Sequence, residues 1–200
     1  MKETLFASGI LMIFVLCETL HRRADLPKEY ARKATHILSG LWTMVSVWHI
    51  ELSSIAWIAG GYFILLLALQ LQKHPLLKAI STADRSTVGT IAMPLGIATV
   101  ASLWTNHQIF LIAIATLTLA DPIAGLMKHA GHKRMVASTA FFIITTAIMY
   151  MMNSRDLDGA LGSEPMLVAL LITFIEARSP RGTDNFFVPV GTAFLLWLPL

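Results

Sequence analysis

Three carboxylates and two clusters of cations stand where an apolar chain should not carry charge. The first carboxylate, Glu176, ends an apolar run that begins at Met166. A polar turn with Ser179-Pro180 and Gly182 follows, then Asp184-Asn185, and then a second apolar run that contains Pro189. A carboxylate at the mouth of a membrane-length segment costs free energy unless it faces protein, water or a cation. A capped turn, with Asp184 as N-cap, accounts for the same residues and stays open at this point. The third carboxylate, Asp121, closes the run Ile109–Ala120 and is followed by Pro122. Asp before Pro reads as a helix that kinks or restarts, and a restarted N-terminus would turn free N–H groups toward a phosphate. Asp121 itself suits Mg²⁺, which prefers one or two carboxylates together with phosphate oxygens.

The cations cluster near these segments. Arg32, Lys33 and His36 share one face if residues 31–36 are helical, which suits a phosphate or, equally, anionic lipid headgroups. Lys128, His129, His132, Lys133 and Arg134 follow Asp121 within fourteen residues. His129 and His132 are three apart, yet no carboxylate beside them completes a zinc site.

Composition says what must position these groups. Of 200 residues 56% are hydrophobic and 14% charged, where a soluble domain carries about a quarter charged. That balance predicts an all-α, polytopic membrane bundle forming a single domain over residues 1–200. Eight apolar segments can be counted, near 4–20, 35–50, 53–71, 86–104, 108–127, 135–152, 164–178 and 186–200. Several are short, which predicts about eight transmembrane helices with some tilted or broken. The first is expected to be a retained helix and not a cleaved signal, because no small-residue cleavage site follows it. The single cysteine, Cys17, excludes an intramolecular disulfide or a cysteine metal cluster.

Of the 15 Lys and Arg residues, all but Lys2 and Arg155 fall in the odd-numbered connections. The positive-inside rule then places those loops in the cytoplasm and both termini outside. The net charge of +3 is explained by this asymmetry and requires no nucleic-acid partner. Ser86 or Thr87 is expected to cap the fourth segment, with Pro94 loosening it and Gly96 allowing close helix packing. The acidic stretch from Asn153 to Glu164 reads as a solvated turn.

Four stretches, in order, resemble the phytol kinase and dolichol kinase family. They are Arg32-Lys33-x-x-His36, Gly89-Thr90 with Pro94-Leu95, Asp121-Pro122-x-Ala124, and the run from Glu176-Ala177 through Ser179-Pro180, Gly182, Asp184-Asn185 and Val188-Pro189. That family includes CTP-dependent diacylglycerol kinases and is related to CDP-diacylglycerol synthases. The likeness covers roughly residues 30–200, and its last motif is the most specific.

The resemblance implies a membrane enzyme that phosphorylates a lipid alcohol, such as a polyprenol, phytol or diacylglycerol, from CTP with Mg²⁺ or another divalent cation. It implies Asp121, Glu176 and Asp184 as catalytic and metal-binding residues, with Arg32, Lys33 and His36 beside them. Nucleotide contacts would extend to Lys133, Arg134, Ser138 and Asn185. The family's Lys-Ser-x-Glu-Gly-Ser stretch is altered here, with Val136 and Ala137 at the Glu-Gly positions. Two other functions compete: a cytidylyltransferase making a CDP-lipid, and a non-catalytic homologue or small transporter. The halves of the chain share no repeated motif that would favour a transporter.

Overall fold

The computed structural model describes residues 1–72, 88–153, 165–180 and 182–198. Among these residues the chain is helical throughout, with no strand. The helices are α1 (Lys2–Arg23), α2 (Lys28–Ser46), α3 (Leu52–Leu71), α4 (Gly89–Leu103), α5 (His107–Ala115), α6 (Asp121–His129), α7 (Arg134–Asn153), α8 (Pro165–Arg178) and α9 (Asp184–Trp197). A π-helical turn, Thr116–Ala120, joins α5 to α6, so His107–His129 is one continuous rod. The eight apolar segments therefore correspond to eight rods. The caps expected at Ser86 or Thr87, and the acidic turn beyond Asn153, lie outside the described residues.

Among the described residues, four rods are long and apolar enough to cross a membrane: Lys2–Arg23, Leu52–Leu71, His107–His129 and Arg134–Met152. Gly89–Leu103 is a shorter apolar helix. With 14 residues each, α8 and α9 extend about 21 Å, less than the ~30 Å hydrocarbon thickness. The protein is a helical membrane bundle with some short members.

Helix α2 is inverted relative to a helix of a water-soluble bundle. Its buried residues are Ala31, Lys33, Thr35, His36, Ser39, Gly40, Thr43 and Ser46, whereas Leu38, Leu41 and Val45 face outward. Polar groups inside and apolar groups outside is the arrangement that lipid demands. The hydroxyls of Thr35, Ser39, Thr43 and Ser46 each donate to the carbonyl four residues back, so they need no partner on another helix. The rod α5–α6 runs through the interior, with every residue of α5 from Ile109 onward buried. Around it α1 packs on α2, α3 on α4, α4 on α9 and α7 on α8.

Two expectations about helix ends are corrected. The helix does not restart at Asp121-Pro122: Ala120 and Asp121 both keep right-handed helical angles, and no side chain caps the junction. Pro122 lacks an N–H and its ring would strike the carbonyl of an ideal preceding turn. The wider π turn just before it removes that clash without breaking the rod. Asp184 is likewise not an N-cap. It is the first residue of α9, after Thr183, and its Oδ1 accepts the N–H of Asn185 at 2.9 Å.

Glycine lets α2 meet the π turn. A Cβ at Gly40 would lie 2.1 Å from Thr118 Oγ1 and 2.7 Å from its Cγ2. The expected small-residue contact at Gly96 is also present, since a Cβ there would fall 2.8 Å from the Asn185 carbonyl oxygen on α9. We expect Gly40→Ala to destabilise the detergent-solubilised protein by about 1–3 kcal/mol through overpacking. Thr118→Ala should restore part of that loss. Gly60→Ala, where no atom lies within 4 Å, should leave thermal unfolding unchanged or raise its midpoint. Equal behaviour of the Gly40 and Gly60 variants would refute the close approach.

Candidate active site

Four rods bring charge to one place. From α2, Lys33 reaches across to α6, where its Nζ lies 2.9 Å from Asp121 Oδ2 and 3.4 Å from the Asp121 carbonyl oxygen. Both side chains are buried, at 5% and 4% exposure. The crossing is possible because Gly125 has no side chain: a Cβ there would lie 2.5 Å from Lys33 Nζ. His36, one turn along α2, uses Nε2 to donate to the Leu117 carbonyl of the π turn at 3.0 Å, since a carbonyl can only accept. That bond fixes the ring, and Nδ1 then faces Asp121 Oδ2 at 3.8 Å. Arg32 pairs with Glu29 on its own helix, at 2.6 Å and 3.1 Å.

The other two acids arrive from the short helices. Glu176, on the last turns of α8, is buried, and its Oε1 accepts from Lys128 of α6. Asp184 opens α9 and is half-buried. Each of Asp121, Glu176 and Asp184 offers a carboxylate oxygen, and these three oxygens lie within 4.8 Å of one another. Glu176 Oε2 is buried with no hydrogen-bond partner among the described residues. An anionic oxygen left bare in a protein interior is costly, and three converging carboxylates repel one another. The donor set consists of hard oxygens only. It fits Mg²⁺ or a similar cation, and does not resemble the nitrogen and sulfur set that zinc prefers.

Of the remaining residues singled out in the sequence, Asn185 is buried next to Asp184. Its Nδ2 donates to the Gly89 carbonyl at 2.8 Å, which ties α9 to the first turn of α4. Arg134 donates from its guanidinium to the Ala177 carbonyl, one residue after Glu176. Lys133 is exposed just ahead of α7, and Ser138 is half-buried on α7. Arg181 lies outside the described residues.

Sequence reasoning missed Lys128 as a partner of Glu176. Its signal was present: Lys128 follows Asp121 by seven residues, two helical turns, and so shares a face with it. The Gly89 carbonyl carried no such signal, because a backbone acceptor is found only once α4 and α9 are in place.

With the geometry in view, comparison with known proteins adds one similarity. The chain is 24% identical to a phytol kinase from Synechocystis sp., over 96% of this chain and 89% of that protein. No family model matches the chain, and no solved structure matches it significantly. The chain therefore resembles the phytol and dolichol kinase family along nearly its whole length, α1 included, and not only from residue 30 onward.

The buried Lys33–Asp121 pair generates a stability prediction. Removing one partner of such a pair leaves an uncompensated buried charge and typically costs about 3–5 kcal/mol. Lys33→Met and Asp121→Asn should each lower the thermal midpoint in detergent strongly. The double variant should lose clearly less than the sum of the two. Additive losses in that cycle would mean that the two groups do not depend on each other.

Proposed function

We propose that this chain is a membrane-embedded lipid-alcohol kinase that transfers the γ-phosphoryl group of a nucleoside triphosphate, CTP in the first instance, to a lipid hydroxyl. The observation that carries the reading is the convergence of Asp121, Glu176 and Asp184, from three helices, with one buried carboxylate oxygen left unpaired. The likeness to a phytol kinase supports the same reaction class.

Phosphoryl transfer demands positioning and charge neutralisation more than covalent chemistry. Asp121 and Glu176 would hold a divalent cation, with Asp184 beside it. A Mg²⁺ there would supply charge neutralisation at the phosphate oxygens. Lys33 and Lys128 already balance two of the acids, and Arg32, paired with Glu29, stands on the same helix as Lys33 as a further candidate for the phosphates. Lys133, Arg134, Ser138 and Asn185 are assigned to the nucleotide.

Asp184 is the least buried of the three acids and is assigned the alcohol proton. The lipid oxygen attacks the γ-phosphorus, the bond from that phosphorus to the β-bridging oxygen breaks, and the nucleoside diphosphate leaves. The proton of the alcohol passes to Asp184. His36 is a positioning residue, because its bond to Leu117 fixes the ring against Asp121.

Membranes carrying the protein should transfer label from γ-labelled CTP, and not from α-labelled CTP, into a chloroform-soluble product when Mg²⁺ and phytol or a polyprenol are supplied. ATP, UTP and GTP belong in the same assay, since Val136 and Ala137 occupy the altered stretch. Glu176→Gln and Asp184→Asn should lower the rate by at least 100-fold while the protein stays monodisperse. Label entering lipid only from the α position would indicate a cytidylyltransferase instead. Absence of transfer from either position would point to a non-catalytic homologue.

The site is assigned to the cytoplasmic side, with both chain termini outside, on the strength of the basic odd-numbered loops. In a Cys17→Ala background, Glu51→Cys in the α2–α3 turn should react with an impermeant thiol reagent in intact cells. His132→Cys in the α6–α7 turn should react only after permeabilisation. Both positions are exposed in the structure, so the reverse pattern would invert the assignment.

A further inference from the structure

An apolar trough leads away from the charged site, and nothing in the phosphoryl chemistry above uses it. It spans about 650 Å³, the open space at its mouth included, between two helix pairs, α1–α2 and α3–α4. The helices pack well within each pair but touch only sparsely across, which leaves a crevice along the seam. One end is polar, with Arg32, His36 and Asn185. These are the groups that stand beside Asp121 and Asp184.

From that end the walls become apolar. Phe14, Ile10 and Phe6 descend along α1, while Leu66, Tyr62 and Ala59 descend along α3. The wall on α4 is formed by Met93, Pro94 and Ile97. On α2 the lining runs from Arg32 to Thr43, a rise of about 17 Å along the helix. That is about half of the ~30 Å hydrocarbon thickness. The trough ends at Phe6, whose ring is buried and whose carbonyl accepts the Trp42 indole N–H at 3.0 Å. A second brace, from Tyr62 Oη to the Ala7 carbonyl at 2.6 Å, holds α3 to α1 at that end.

We propose that this trough holds the hydrocarbon tail of the acceptor, a single-chain lipid alcohol, with its hydroxyl at the His36–Asn185 end and its tail pointing toward Phe6. The assignment rests on the kinase reading for the identity of the head group. The rest is carried by the trough itself. Its walls are mostly apolar, the Thr35, Ser39 and Thr43 hydroxyls on α2 are bonded back to their own helix, and its charged and amide side chains lie only at the end beside the carboxylates. A single chain fits that description better than the two tails of a diacyl lipid. Phe6, Thr43 and Ala59 then act as the floor that sets tail length. The amino-terminal helix, which carries none of the four motifs, becomes part of the acceptor site.

Purified protein in nanodiscs provides the test. A phytol analogue carrying a diazirine near its tail end should label peptides containing Phe6–Phe14 and Ala59–Leu66. Free phytol should compete, and excess phosphatidylcholine should not. Label confined to other helices, or displaced equally by phosphatidylcholine, would overturn the proposal.

Kinetics give an independent reading. Ala59→Phe and Thr43→Leu fill the floor and should shift the ratio of kcat/KM for phytol over prenol by roughly 10-fold or more toward prenol. Phe6→Ala opens the floor and should shift selectivity toward longer polyprenols. Transfer that continues with the same chain-length selectivity in all three variants would reject the trough while leaving the kinase standing. Specific trough labelling without any phosphoryl transfer would do the opposite, retaining the alcohol site and rejecting the kinase.

Discussion

The contact between Lys33 and Asp121 is the constraint on which the rest of the structure depends. A lysine and an aspartate are both buried in a bundle whose exterior is apolar, and neither charge has water to fall back on. Each is tolerable only because the other lies 2.9 Å away. That requirement fixes the crossing of α2 over α6 and demands Gly125 at the crossing point. It also sets the rotation of α2, because the face that presents Lys33 must present His36 one turn later. With Lys33 held in this way, the polar stripe of α2 has no choice but to face inward.

The π turn before Asp121 belongs to the same constraint. Proline at the second position of α6 would break or kink a regular helix, and a broken rod would move Asp121 relative to Lys33. The turn Thr116–Ala120 widens the helix where the proline needs room. It also delivers the Leu117 carbonyl to His36 and the Thr118 side chain to Gly40. An irregularity in the backbone thus makes two contacts to α2. Such turns recur at functional sites because they re-aim side chains without ending the helix.

The short helices α8 and α9 explain how the other two acids reach the same point. Both helices, at about 21 Å, are shorter than the hydrocarbon layer, and the two acids sit at their adjoining ends. Glu176 at the end of one and Asp184 at the start of the other then face Asp121 across less than 5 Å. Lys33 and Lys128 pair with Asp121 and Glu176 there. The outcome is a site built on helix ends and one helix crossing, with its three acids supplied by three different rods.

Much of this was legible in the chain. Hydrophobic content set the class, since a chain with so few charges has no soluble alternative. The apolar runs marked all eight rods, with their ends shifted by a few residues. The spacing of Arg32, Lys33 and His36 put them on one helical face, and intramembrane carboxylates at Asp121, Glu176 and Asp184 stood out because such groups are costly. The single sequence could not say that Lys33 meets Asp121, because 88 residues separate them and only packing closes that distance. Nor could it replace a helix restart with a π turn. The pattern Asp-Pro permits both, and the choice between them was made by the need to keep Asp121 against α2. The pairing of Lys128 with Glu176, and the crevice between the first four helices, are likewise products of tertiary packing. Local sequence dictates which groups a helix carries and which face they share. Where two faces meet, and what space remains between them, is decided by the volumes and charges of residues far apart in the chain.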